Sequence, residues 1–146
     1  MNKMIMLATS ALSMFFSEMT LALDLMNLNL PEDLTMIDIK GTKFIVKKSS
    51  GVALTGIVLP SQGMSAAETA QDMVKESNCK ILSSSSVIEL LCQDNSGSSK
   101  SINLISQADP DHLNFIYIRC GEIDTATCRT DGAEIVNSMG AALRGR

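Results

Sequence analysis

Four short clusters hold the side chains that could do chemistry. Asp109, Asp111 and His112 surround Pro110, and His112 is the only histidine in the chain. Glu122 and Asp124 lie between Cys120 and Cys128, together with Thr125 and Thr127. Serines crowd Ser83 to Ser86 and Ser96 to Ser99. A Ser–His–Asp or Cys–His nucleophile needs a base held beside it, so a small secreted hydrolase would use His112 with Asp111 and Glu122. Paired carboxylates cleave glycosides where aromatic subsites flank them; the segment from Cys120 to Cys128 has no aromatic residue. Asp109, Asp111 and His112 supply too few oxygens, and no glycine bend, for a calcium loop. No CxxC pair is present for zinc. The serine runs lack the glycine spacing and the lysine-bearing helix of a phosphate loop. We therefore read no catalytic residue, no metal site and no cofactor site. The clusters read instead as binding loops on a scaffold. Glu122, Asp124, Thr125 and Thr127 form the first surface, and Asp109, Asp111 and His112 the second. A loop closed by a cystine loses less entropy when it docks.

The cysteines number four, an even count, and all lie in the second half of the chain. An oxidising compartment follows from that usage. Three pairings are possible, and spacing favours Cys79–Cys92 across a hairpin and Cys120–Cys128 around a short loop. The first residues agree with export. Lys3 is followed by a weakly polar to apolar run from Met4 to Phe16, and Thr20-Leu21-Ala22 offers small residues for cleavage. That run is shorter than the roughly 20 apolar residues of a spanning helix, so residues 1–22 read as a signal peptide and no membrane span is expected after cleavage. Removing 22 of the 146 residues leaves 124, one domain at positions 23–146.

The net charge is −4, and cleavage removes one lysine and one glutamate, which leaves it unchanged. Beyond the leader the aromatics are Phe44, Phe115 and Tyr117, and there is no tryptophan. An acidic chain without a basic stripe or a stacking platform is excluded as a nucleic-acid binder. It is equally unsuited to gripping polysaccharide on aromatic faces.

The elements that must position these residues can be read in order. A hairpin is expected from Met36–Lys40 and Lys43–Lys48 about Gly41-Thr42, a type II′ turn that sets Ile39 opposite Phe44 and Ile37 opposite Val46. A strand from Val52 to Leu59 stops at Pro60. Ser65-Ala66-Ala67-Glu68 is a capping box for a helix with Ala66, Ala70, Met73 and Val74 on one side. A second hairpin pairs Cys79 with Cys92 and Ile81 with Leu90, then Ser83 with Ile88 and Leu82 with Glu89; a one-residue slip would scatter its apolar face. After the turn at Asp94–Ser99 come a strand from Lys100 to Ser106, a turn from Ala108 to His112, and a strand from Leu113 to Cys120. In that last strand Phe115 and Tyr117 face one way while Ile116 and Ile118 face the other, which predicts a central position covered on both sides. A final helix is expected from Asp131 to Leu143, capped by Asp131 and Glu134, with Val136, Met139, Gly140 and Leu143 as its apolar stripe.

Three strands, helix, four strands, helix, with short connections, predicts an α+β fold, an antiparallel sheet with helices packed on it. In order of elements across Leu30 to Leu143 the chain resembles the Mog1/PsbP-like sandwiches, which implies the fold and leaves function open. The functional expectation is an exported, non-enzymatic binding protein of the bacterial envelope, periplasmic or secreted, whose partner is another protein. An inhibitor, an immunity-type protein or an envelope accessory protein would fit. The alternatives are the His112 hydrolase or a structural subunit of an envelope assembly.

Overall fold

The computed structural model describes residues 30–144; the expected leader and cleavage site fall within residues 1–29, which lie outside them. Period-two stretches become seven strands: β1 (Leu34–Ile39), β2 (Thr42–Lys47), β3 (Ala53–Pro60), β4 (Cys79–Ser84), β5 (Val87–Gln93), β6 (Lys100–Asp109) and β7 (His112–Gly121). Two helices, α1 (Ala66–Glu76) and α2 (Thr125–Arg144), follow β3 and β7. All the strands form one antiparallel sheet in the order β1-β2-β3-β7-β6-β5-β4. The fold is α+β, with β7 in the middle of the sheet.

The helices pack on opposite faces. α2 lies over the centre of one face, where Ile135, Val136, Met139 and Cys128 meet Ile45, Leu54, Ile102, Ile116 and Ile118. α1 covers only the β4–β6 half of the other face, with Ala66 and Ala70 on Ile88, Leu90, Ile105 and Leu113. α1 starts as its sequence demands. The Ser65 hydroxyl accepts the Glu68 N–H at 3.1 Å, and the Glu68 carboxylate accepts the Ser65 N–H at 3.0 Å. That bond to the Ser65 backbone holds the Glu68 carboxyl below its ordinary range.

Three local readings are corrected. The first hairpin turns on Lys40-Gly41, both at positive φ (52° and 86°), so Ile37 faces Phe44 and Ile39 faces Thr42. Two successive left-handed residues match the twist of the strands as a type I′ turn does, and the Asp38 side chain accepts the Gly41 N–H at 2.8 Å. The shift is two residues, so no side chain changes face. In the second hairpin Cys79–Cys92 and Ile81–Leu90 pair as expected, but a bulge at Leu82 then sets Ser83 against Glu89 and Ser84 against Ile88. One extra residue sends Ser83 to the α2 side, where its hydroxyl reaches Glu89 at 3.2 Å. Finally, α2 begins at Thr125, six residues before Asp131. Asp124 is its cap, its carboxylate accepting the Thr127 N–H at 2.9 Å. Asp131 and Glu134 lie inside the helix and both hold Lys47 of β2. Gly140 and Leu143 fall beyond the last residue whose side chain is described.

Four attachments fix α2 on the sheet besides its apolar side. Cys120–Cys128 ties its first turn to β7. Arg129 makes a two-pronged bond to Glu89 of β5, Nε to Oε2 at 2.8 Å and Nη2 to Oε1 at 2.6 Å. On the other flank Lys47 lies between Asp131 and Glu134, and those bonds, Glu134 first, raise the lysine above its usual range. Gly132 brings the helix backbone down onto β7: a Cβ there would lie 2.8 Å from Ile118 Cδ1.

Candidate functional site

The expected site residues occupy the two ends of β7. At one end β6 and β7 join through Pro110-Asp111. The Asp109 carboxylate accepts the Asp111 N–H at 2.8 Å and meets His112 Nδ1 at 2.9 Å. The hydrogen bond with His112, then the one from the Asp111 backbone, holds the Asp109 carboxyl below its ordinary range. The Asp111 carbonyl accepts the Ser61 N–H at 2.8 Å, which anchors this turn to the loop before α1. His112 is exposed, and among the described residues its recorded side-chain bonds go to Asp109 alone. Among the described residues no serine or cysteine hydrogen-bonds to its ring as a nucleophile would.

At the other end Gly121, at φ 61°, turns the chain out of β7, and Glu122 is exposed on that turn. The expected cystine loop is much shorter than its spacing implies. Only Glu122, Ile123 and Asp124 separate β7 from α2, and Thr125, Thr127 and Cys128 already belong to the helix. The Thr127 N–H bond lowers the Asp124 carboxyl, which is thereby occupied as a cap. A cleft of about 450 Å³ opens beside this turn, lined by Ser50, Gly51, Arg119, Cys120 and Glu122 among others. Ten residues of β7 at ~3.3 Å each put roughly 30 Å between the Glu122 turn and the Asp109–His112 turn. His112 and Asp111 are therefore brought together, and Glu122 is not. Among the described residues no three histidine, cysteine or carboxylate groups converge as a metal site would require, and no helix is long and apolar enough to cross a membrane.

Between those two ends lies the surface that the sequence reading missed. β7 presents Phe115, Tyr117 and Arg119 on the same face as α1, and its neighbours continue that face away from the helix. The register carries it through Thr55, Ile57 and Leu59 of β3, Phe44 and Val46 of β2, and Thr35, Ile37 and Ile39 of β1. On this side no described helix covers β1, β2 or β3, and α1 reaches only the Leu113 end of β7. Ile57 is 51% exposed, and Ile37, Leu59 and Tyr117 are each exposed by more than a third. Phe44 and Tyr117 meet edge to face across β3 with ring centroids 6.3 Å apart, which fixes the centre of the patch. Arg119 is the only charged strand residue on this face, and it forms no ion pair among the described residues. Scattered exposed apolar residues are ordinary, whereas a contiguous patch marks an interaction surface. The signal in the sequence was one of supply. A seven-stranded sheet has two faces, and 11 residues of α1 at 1.5 Å each span only about 16 Å.

Compared with known proteins, the chain matches no family model, no curated protein and no solved structure.

Proposed function

We propose that this is an exported binding protein of the bacterial envelope that recognises another protein through the helix-free face of β1, β2, β3 and β7. The single observation that carries the reading is the apolar surface from Ile37 through Ile57 and Leu59 to Tyr117, which no described helix covers, while the main core lies beneath α2 on the opposite face. Two cystines are in keeping with a periplasmic or extracellular location. The likeness to Mog1/PsbP-like sandwiches adds an order of elements and nothing about the partner.

The size of the face says more about the partner. Four strands at ~4.8 Å and about six residues at ~3.3 Å enclose roughly 380 Å². A stable interface buries about 800 Å² on each side. A second copy seated face to face on this patch alone falls short of that. A partner that continues past the patch onto the turns at both ends of β7 reaches it. Asp109, Asp111 and His112 then rim one end and Glu122 the other, so the loops expected to bind become the margins of one surface. Arg119 favours an acidic group on the partner at the Glu122 end.

The experiment is affinity capture from envelope extract with the wild-type protein, Ile57→Lys and Ile81→Lys. Ile57 lies on the open face and Ile81 on the outer hairpin, and both are exposed, so either substitution leaves the fold intact. A specific partner retained by wild type and Ile81→Lys and lost with Ile57→Lys is the expected result. Equal retention by all three removes the open face from the reading.

A further inference from the structure

The two cystines differ in their surroundings. Cys120 and Cys128 are buried beneath α2, at 3% and 0% exposure. Cys79 and Cys92 are only half-buried, close to the end of the outermost hairpin, with Cys79 on the edge strand β4.

The sulfurs of this outer cystine are also unlike each other. Asn103 of β6, itself only 9% exposed, turns its side-chain amide to Cys92 Sγ at 3.4 Å and to Ser101 Oγ at 3.2 Å. An N–H aimed at a sulfur stabilises the thiolate form of that sulfur. Cys79 receives no such donor among the described residues. It follows the C-terminus of α1 by three residues, and the negative end of a helix dipole disfavours a thiolate. In thiol–disulfide exchange the sulfur that departs is the one whose thiolate is better held.

We propose that Cys79–Cys92 is a thiol-exchange site for low-molecular-weight thiols, in which Cys79 is the sulfur attacked and Cys92 the sulfur that leaves. The incoming thiol gives its proton to solvent, and its thiolate bonds to Cys79 Sγ. The Sγ–Sγ bond breaks, and its electron pair stays on Cys92 as a thiolate that accepts the Asn103 N–H. A second thiol then attacks the small-molecule sulfur of the mixed disulfide. That step releases the oxidised small disulfide and leaves Cys79 reduced, so two thiols have been oxidised and one cystine reduced. The hairpin stays in register through Lys80–Leu91 and Ile81–Leu90, and α1 continues to cover β4 and β5. The adduct therefore forms on folded protein. Asn103 acts through Cys92, as a positioning residue.

The test is to incubate the oxidised protein with reduced glutathione, trap free thiols with N-ethylmaleimide, and map the peptides by mass spectrometry. Glutathione on Cys79, maleimide on Cys92 and an intact Cys120–Cys128 is the expected pattern. Glutathione on Cys92, an even split, prior opening of Cys120–Cys128, or no adduct at all overturns the proposal. Asn103→Leu removes the donor; it is expected to slow adduct formation about fivefold and to erode the preference for Cys79. Asn103→Asp keeps the shape and replaces the donor by an acceptor, so it gives the same outcome if the leucine variant fails to fold. Wild-type rate and selectivity in a folded Asn103 variant refute the role given to Asn103.

Discussion

Replacing Arg129 by alanine isolates the most deeply buried carboxylate among the described residues. The Glu89 side chain is 2% exposed, and its oxygens accept two bonds from Arg129 and one from the Ser83 hydroxyl. Without the guanidinium the carboxylate keeps one neutral donor and no counter-charge. Removing one partner of a buried ion pair typically costs ~3–5 kcal/mol, because the charge left behind has lost its compensation. The Arg129→Ala protein should therefore lose about 3–5 kcal/mol, roughly 10–20 °C in melting temperature for a domain of this size. Chemical denaturation of both proteins at pH 7 measures it. The double variant Glu89→Leu/Arg129→Leu should recover most of the stability, because neither charge is then buried. A loss below about 1 kcal/mol would refute the account of Glu89 as a buried group that depends on Arg129 for its partners.

Other outcomes follow from single contacts. Gly132→Ala should destabilise the protein by about 1–2 kcal/mol despite the better helix propensity of alanine, since its Cβ would lie 2.8 Å from Ile118 Cδ1. Adding Ile118→Val removes that methyl, and thermal melts should show the double variant losing less than the sum of the two single changes. His112→Ala should return the Asp109 carboxyl upward towards the usual aspartate range, as read by carboxyl NMR titration, because the bond with His112 is the chief cause of its depression. The sign follows for the wild type. The small stability from a lowered Asp109 is present above the ordinary pKa and is lost as pH falls through the lowered one. An Asp109 titration unmoved by the substitution contradicts the contact.

The resemblance of element order to element pattern ran deep along this chain. Alternation placed the strands, Ser65 and Glu68 opened α1 as their types dictate, and both cystines formed between the cysteines that spacing paired. Shorter-range errors had local causes. Lys40 adopted a left-handed conformation that favours glycine, which moved a turn by one residue and a register by two. Leu82 bulged, and Asp124 capped a helix whose later Asp131 and Glu134 had the same cap pattern.

Linear order determined the seven strands, the two helices and the central position of the strand that ends in Cys120, because periodicity and turn chemistry act between near neighbours. It also determined that His112, Asp111 and Asp109 lie at one strand end and Glu122 and Asp124 beyond another, although Thr125 and Thr127 fell in α2 and not in a loop. Only the tertiary structure decided that Glu89 and Arg129, 40 positions apart, would neutralise each other under α2. Only it decided that Asn103 would point at Cys92, and that Ile37, Ile57, Leu59 and Tyr117 would share one uncovered face. The reason is that strand neighbours and helix placement depend on where the whole sheet closes its apolar area. Two helices on opposite faces leave half of one face open, and no local stretch of sequence states which half.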